Sequence, residues 1–513
     1  MRSFRFGQGP SIWANATVSA ALRHGPLARR EPLVWFSARP GYRWWVVGTV
    51  CLGALMGQLD ASIATLLIPT LRGVFRERLA DVEWVAIAYL LALVGLVVLF
   101  GRLADMFGRK EMYTLGFAVF TAGSVACGAS LTLETLLIAR VVQALGAAML
   151  QANSVAIITQ AVDRSELGRA IGIQGTAQAV GLSVGPAVGG FLISTMGWQW
   201  AFYINLPVGI VGTLLGWLVL PSSVCGKPEP FDWPGLAVFA PGTVIAMYVL
   251  TQGPVLGWTS PAIVFLIAIS PILMALFLIR EQRARFPMVD LRLFLNRLFA
   301  AGIAAGLLSY AVLFGALFVI PMFLERALGR SAEATGLTLT AVPIALAVAA
   351  PFAGQLADRF GSRGLTAGGM AVSAISLLLL EKVPSGATVR LMAVLALLGL
   401  GVGAFTPPNN AAIMGAAPRS RLGVAGGILN MTRGLGTTLG VVATGAVLTW
   451  RQHVYALRWR SGGGSATALR VTGAFHDAVL LLLMLAAAAG LISLVRGRPS
   501  VLKSGGETEQ ELL

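Results

Sequence analysis

Long uncharged stretches alternate with short polar segments along this chain, and the stretches have membrane length rather than the length of strands or core helices. A helix rises 1.5 Å per residue, so about 20 apolar residues cross a hydrocarbon layer about 30 Å thick. Runs of that kind lie at 44–71, 84–100, 112–132, 134–159, 169–194, 202–220, 233–252, 261–279, 299–323, 335–356, 365–380, 388–413, 422–449 and 475–495. The pattern predicts fourteen spanning helices, with 84–100 and 365–380 extending into their flanks. An even number puts both termini on one side.

Composition agrees with a membrane solvent: hydrophobic residues make up 56% of the 513 and charged residues 12%, and mean hydropathy is +0.79. Soluble domains carry about 25% charged residues. Orientation follows the asymmetry of Lys and Arg between short loops. With the N-terminus inside, the cytoplasmic segments hold 25 of the 38 basic residues and the outer loops 11. The expected topology is therefore N-in and C-in, in a multi-pass protein of the cytoplasmic membrane. The outer loop 450–474 runs against the rule, with Arg451, Arg458, Arg460 and Arg470. The net charge of +16 is accounted for by contact with anionic membrane lipid and requires no nucleic acid. Residues 1–43 are basic without an apolar core for a signal peptide, and read as a cytoplasmic tail. Cys51, Cys127 and Cys225 are scattered, without metal-ligand spacing, and no disulfide is expected.

Candidate chemistry begins with Asp60, the one acid deep inside a span. A carboxylate at such depth costs about 2.5–3.5 kcal/mol on insertion scales and usually faces a partner charge, a cavity or a proton path. Arg140 in the fourth span either pairs with Asp60 or snorkels outward. Gln58, Tyr89, Gln143, Asn153, Gln174, Asn409, Asn430 and Arg433 are polar residues within spans, placed either to line a substrate cavity or to bond helix to helix. Pro407-Pro408, just before Asn409, suggests a break in its helix. In the fifth span, Gly181, Gly185, Pro186, Gly189 and Gly190 put small residues at i, i+4 and i+8 with a proline, which predicts close packing and a flexible bend. His24, His453 and His476 have no acid or cysteine cluster near them, and no phosphate-binding loop is present. Neither an enzyme site, nor a metal, nor a cofactor is expected.

An internal repeat organises the chain. Gly101-Arg-Leu-Ala-Asp105-Met-Phe-Gly108-Arg109-Lys110 returns 253 residues later as Gly354-Gln-Leu-Ala-Asp358-Arg-Phe-Gly361-Ser-Arg363. In each copy the glycines permit a tight turn, the aspartate can accept N–H bonds at a helix N-terminus, and the basic residues hold the loop to one surface. The expected division is a tail 1–43, a six-helix bundle 44–220, two inserted spans and a linker at 221–298, a second bundle 299–495 and a tail 496–513. Within the linker, Arg280–Arg297 reads as an amphipathic interfacial stretch.

GRLADMFGRK resembles the loop motif of the major facilitator superfamily. LDASIATLLIP, WVAIAYLL, GLSVGPAVGG and GWQWAFYINLPVG are similar to its fourteen-span drug/proton antiporter branch. Arg140-Val-Val-Gln143-Ala-Leu-Gly146 resembles that family's membrane-embedded Arg motif, with Ala144 where glycine is usual. The resemblance implies an all-α fold of two six-helix bundles plus two accessory helices, alternating access, and a loop motif that latches the cytoplasmic side. It implies export of amphipathic organic compounds in exchange for protons, with the span-5 glycines tied to export and to sealing against ion leak. A periplasmic adaptor protein is a candidate partner. Alternatives are a dedicated exporter of one metabolite and a non-transporting membrane receptor or scaffold.

Overall fold

The structure, a computed structural model, describes residues 32–222, 230–380, 388–458 and 464–495, so most of the two tails and Cys225 lie outside it. Among the described residues every regular element is helical. The long helices are α1 (Tyr42–Phe75), α2 (Trp84–Phe107), α3 (Arg109–Gly128), α4 (Leu133–Ala161), α5 (Leu167–Thr195), α6 (Asn205–Val219), α7 (Trp233–Leu256) and α8 (Pro261–Arg283), followed by α9 (Arg297–Arg326), α10 (Ala341–Phe360), α11 (Ser362–Leu380), α12 (Thr388–Ala416), α13 (Leu422–Arg458) and α14 (Gly464–Val495). Twelve helices among the described residues are long and apolar enough to cross a membrane; α3, which opens with Arg109, Lys110 and Glu111, and α13 are not among them.

Local chemistry sets the helix starts. Thr132 and Thr135 form a reciprocal capping box before α4, Asp232 accepts the Gly235 N–H at the head of α7, and Ser260 accepts the Ile263 N–H before α8. Each satisfies an N–H that the first helical turn leaves without a partner. The repeated loops turn at glycines in equivalent positions, Gly108 (φ +121°) and Gly361 (φ +84°), a conformation that side chains with a Cβ rarely adopt.

In one half α1 packs on α5, and α4 packs on α2 and α3. In the other, α12 packs on α10 and α11, and α13 on α9. The halves meet along two seams, α5 against α10 and α2 against α13. One apolar core runs from α1–α5 into the adjoining ends of α12 and α13, burying Ile413, Met414, Val424 and Leu429 with Val98, Ala152 and Ile157. A second fills the other half around Val319, Leu395, Phe405 and Leu482. The α7–α8 hairpin lies against α2, and only 11% of the apolar window of α8 is buried, which puts that helix at the periphery. Large side chains such as Ile138, Phe191, Phe265 and Phe352 stay exposed, as expected of a surface solvated by lipid.

Folding gives the 280–297 linker its detail and changes two expectations. Within 280–297, α8 ends at Arg283 and, after Pro287, a 3-10 turn follows at Leu291–Leu295, with Met288, Val289 and Leu293 buried in the core. Pro407 and Pro408 lie inside a continuous α12, so there is no break before Asn409. The segment expected as an Arg-rich loop at 450–474 is largely helical: α13 continues to Arg458, and Arg451 Nε donates to Asp477 Oδ2 of α14 at 2.6 Å, which neutralises the charge where it lies.

Candidate functional site

Three arrangements of polar and small residues stand out. The first surrounds Asp60 on α1, a residue 2% exposed. Its Oδ2 accepts from Arg140 Nη1 of α4 at 2.8 Å, and its Oδ1 from Gln143 Nε2 at 2.8 Å and Asn205 Nδ2 at 3.0 Å. Arg140, 1% exposed, also donates to the Val85 carbonyl (3.1 Å) and to Gln143 Oε1 (2.7 Å), and its guanidinium lies 4.3 Å over the Tyr89 ring. It does not snorkel. Ser124 Oγ of α3 accepts from Gln143 and from Asn205 and donates to the Phe202 carbonyl. Four helices and the start of α6 therefore meet on one ion pair. Buried charges persist when paired and hydrogen-bonded, and here both carboxylate oxygens are met by N–H donors.

The second arrangement is a pair of latches at one end of the molecule. Asp105, in the last turn of α2, accepts the Gly423 and Val424 N–H groups at the start of α13 (2.8 and 3.0 Å). Its counterpart Asp358, in the last turn of α10, accepts the Gly168 and Arg169 N–H groups at the start of α5 (2.7 and 3.0 Å). Each carboxylate thus caps a helix of the opposite half, where orphan N–H groups and the positive end of the helix dipole both favour it. Glycines bring the backbones together at the same places. A Cβ on Gly101 would strike the Gly423 carbonyl, and one on Gly354 the Gly168 carbonyl. The copies differ in their basic residues. Arg109 donates to Asp105 (2.7 Å), to the Arg419 carbonyl (2.7 Å) and to Gln160 (3.1 Å), and Lys110 is buried. In the second copy Ser362 replaces that arginine, and Arg363 is exposed.

The third is a cavity of about 650 Å³ between the halves, walled by α1, α4, α5, α9, α10, α12 and α13. It closes toward the latches, where Gly172 of α5 lies against the backbone of Ala350, itself a lining residue. Its wall extends the other way to Leu317, Leu339 and Thr340. Volume and apolar walls suit an organic ligand.

The Major Facilitator Superfamily model matches residues 50–318 and 302–500. The chain belongs to the major facilitator superfamily. The riboflavin transporter RibZ of Clostridioides difficile is 33% identical over 78% of this chain and 86% of its own length. The multidrug resistance protein Stp of Mycobacterium tuberculosis is 32% identical over 77% and 74%. The human organic anion transporter MFSD10 shares the fold, with a TM-score of 0.60 at 14% identity, covering 89% of this chain and all of that one.

Within this superfamily fold the polar residues noted in the sequence separate into two groups. Gln58, Gln174, Asn430 and Arg433 line the cavity. The others do not. Tyr89 and Gln143 belong to the Asp60 cluster, because their ring face and amide are spent on Arg140 and Asp60. Asn153 donates to the Met149 carbonyl of its own helix, and Asn409 to the Gly302 carbonyl. Asn430 donates to the Gln151 carbonyl across the interface as well as lining the cavity. Gly181, Gly185 and Gly189 form one stripe against Leu55, Ser62 and Ile63 of α1, Gly190 faces open space, and Pro186 lines the cavity inside a continuous α5. Ser124 and Asn205 of the Asp60 cluster escape a sequence reading, although Asn205 stands within GWQWAFYINLPVG.

Proposed function

We propose that this chain is a proton-coupled exporter of amphipathic organic compounds, working by alternating access in the cytoplasmic membrane. Fourteen helices, α1–α14, would span it with both termini inside, as a bundle at 44–220, accessory helices at 221–298 and a bundle at 299–495. The latches would then lie on the cytoplasmic face, and the geometry described is the outward-facing state. The span-5 glycine stripe would be the seam along which α5 moves on α1.

The observation that carries the reading is the pairing of Arg140 with Asp60, which lies on the helix that also supplies Gln58 and Ser62 to the cavity wall. An arginine keeps its charge at any working pH, whereas a carboxylate can take up a proton. Protonating Asp60 removes one charge of the pair, weakens its hold on α4 and α6, and shifts α1 with its two cavity residues. Coupling follows if substrate and proton favour different states, since a ligand moves an equilibrium only by its differential affinity.

A second reading, a dedicated exporter of one metabolite, draws on the 33% identical relative named a riboflavin transporter; drug export draws on the one named for multidrug resistance. Purified protein in proteoliposomes under an imposed pH gradient tests both. Several unrelated amphiphiles moving with the gradient supports the first and a single compound the second. No movement of any amphiphile refutes proton-coupled transport and leaves a receptor or scaffold, whereas equal movement by Asp60→Asn refutes the coupling role of Asp60.

A further inference from the structure

Among the described residues that line the cavity, Arg433 is the one charged side chain and none carries a carboxylate. It sits on α13, half-buried, with Nη1 donating to Gln178 Oε1 of α5 at 2.5 Å and the guanidinium 5.5 Å from the Tyr310 ring centre. Both partners are neutral, so the positive charge is held but not cancelled. A guanidinium has five N–H donors and no acceptor, and Gln178 takes one of them. A second donor stands close by in the same wall: Gln174, one helical turn before Gln178 on α5, is 2% exposed, and its Nε2 meets no hydrogen-bond partner among the described residues. Buried polar groups rarely remain unpaired. The other polar groups in the wall, among them Gln58, Ser62, Asn410 and Asn430, are uncharged, and Phe314, Leu317, Leu339 and Leu346 give it an apolar surface.

We propose that the cavity selects amphiphiles bearing an acidic group, with the carboxylate or an equivalent anion on Arg433, a neighbouring acceptor oxygen on Gln174, and the apolar body against α9 and α10. An organic cation would meet repulsion from Arg433 with no acid nearby to offset it. The acidic group takes N–H donors that Gln178 leaves free, and a planar guanidinium can present two at once. Because Gln178 and Arg433 belong to opposite halves, the anion docks where the two halves already touch. This inference rests on the transport reading above and adds the charge of the substrate.

The test uses three probes of one size: 2-naphthoate, 2-naphthalenemethanol and 2-naphthylmethylammonium, titrated into the purified full chain by calorimetry. Naphthoate is expected to bind at least ten-fold more tightly than the ammonium. Arg433→Gln should bring the acid within about two-fold of the alcohol, and Arg433→Lys should keep part of the preference, since a lysine retains the charge without the fork. Tighter binding of the ammonium, equal affinities for all three or no binding of any overturns the proposal, and that comparison on the unsubstituted protein stands whether or not the variants fold. Calorimetry needs no gradient. An anion preference without gradient-driven movement removes proton coupling alone, whereas gradient-driven movement of cations alone removes this inference and leaves coupling intact.

Discussion

Asp60 and Arg140 sit where water does not reach, and the energetics of such a pair are lopsided. Replacing both charges costs little, whereas removing one leaves the other buried and unpaired, at about 3–5 kcal/mol. Arg140→Ala is therefore expected to lower stability by about that amount, measured by thermal unfolding in detergent. The doubly neutral Asp60→Asn/Arg140→Gln variant should cost less than the sum of its single changes, the mark of direct coupling; additive costs would mean that the contact carries no energy. Asp60→Asn alone keeps a carbonyl for Arg140 but cannot titrate. It is expected to insert normally and to lose gradient-driven transport. Asp60 and Arg140 stand out in the sequence because charge inside an apolar run is rare and costly. Ser124 and Asn205 do not stand out, because a serine and an asparagine are cheap enough in a membrane helix to serve many purposes; only folding brings them within 3.0 Å of each other.

Among the elements, the two latches use one device with unequal reinforcement. Asp105 holds α13 and is itself held by Arg109, while Asp358 holds α5 without an equivalent arginine. Turnover is expected to fall more in Asp105→Ala than in Asp358→Ala; equal defects would show that Arg109 adds nothing to closure. Gly101→Val should loosen the same end by pressing a side chain into the Gly423 carbonyl. Greater labelling of a cysteine placed at that end, compared with the parent protein, is the readout. The repeat itself is plain in the sequence, as is the need of each aspartate for N–H partners. The partners are not, since Gly423 lies 318 residues from Asp105 and nothing local marks the N-terminus of α13 as its destination.

For the whole molecule, the two halves press together near the latches and part around the cavity. Thr176 of α5 donates to the Ala347 carbonyl of α10 at 2.8 Å, so cysteines at both positions should cross-link in a background free of Cys51, Cys127 and Cys225. Oxidation is expected to stop transport and reduction to restore it. Undiminished transport in the fully cross-linked protein would mean that α5 and α10 do not separate during the cycle.

Apolar run length and the spacing of the repeated motif determined the helical class, the helix positions and the two-fold design, because hydrophobic periodicity and glycine turns act over a few residues and can be read locally. The fate of individual polar groups was decided by tertiary structure. Tyr89 and Gln143 are taken up by the ion pair, Asn153 and Asn409 by backbone carbonyls, and Gln174 and Arg433 are left facing the cavity. A helix of 3.6 residues per turn carries a polar side chain to whichever neighbour its face meets. That neighbour is chosen by packing between segments far apart in the chain, which no short stretch of sequence encodes.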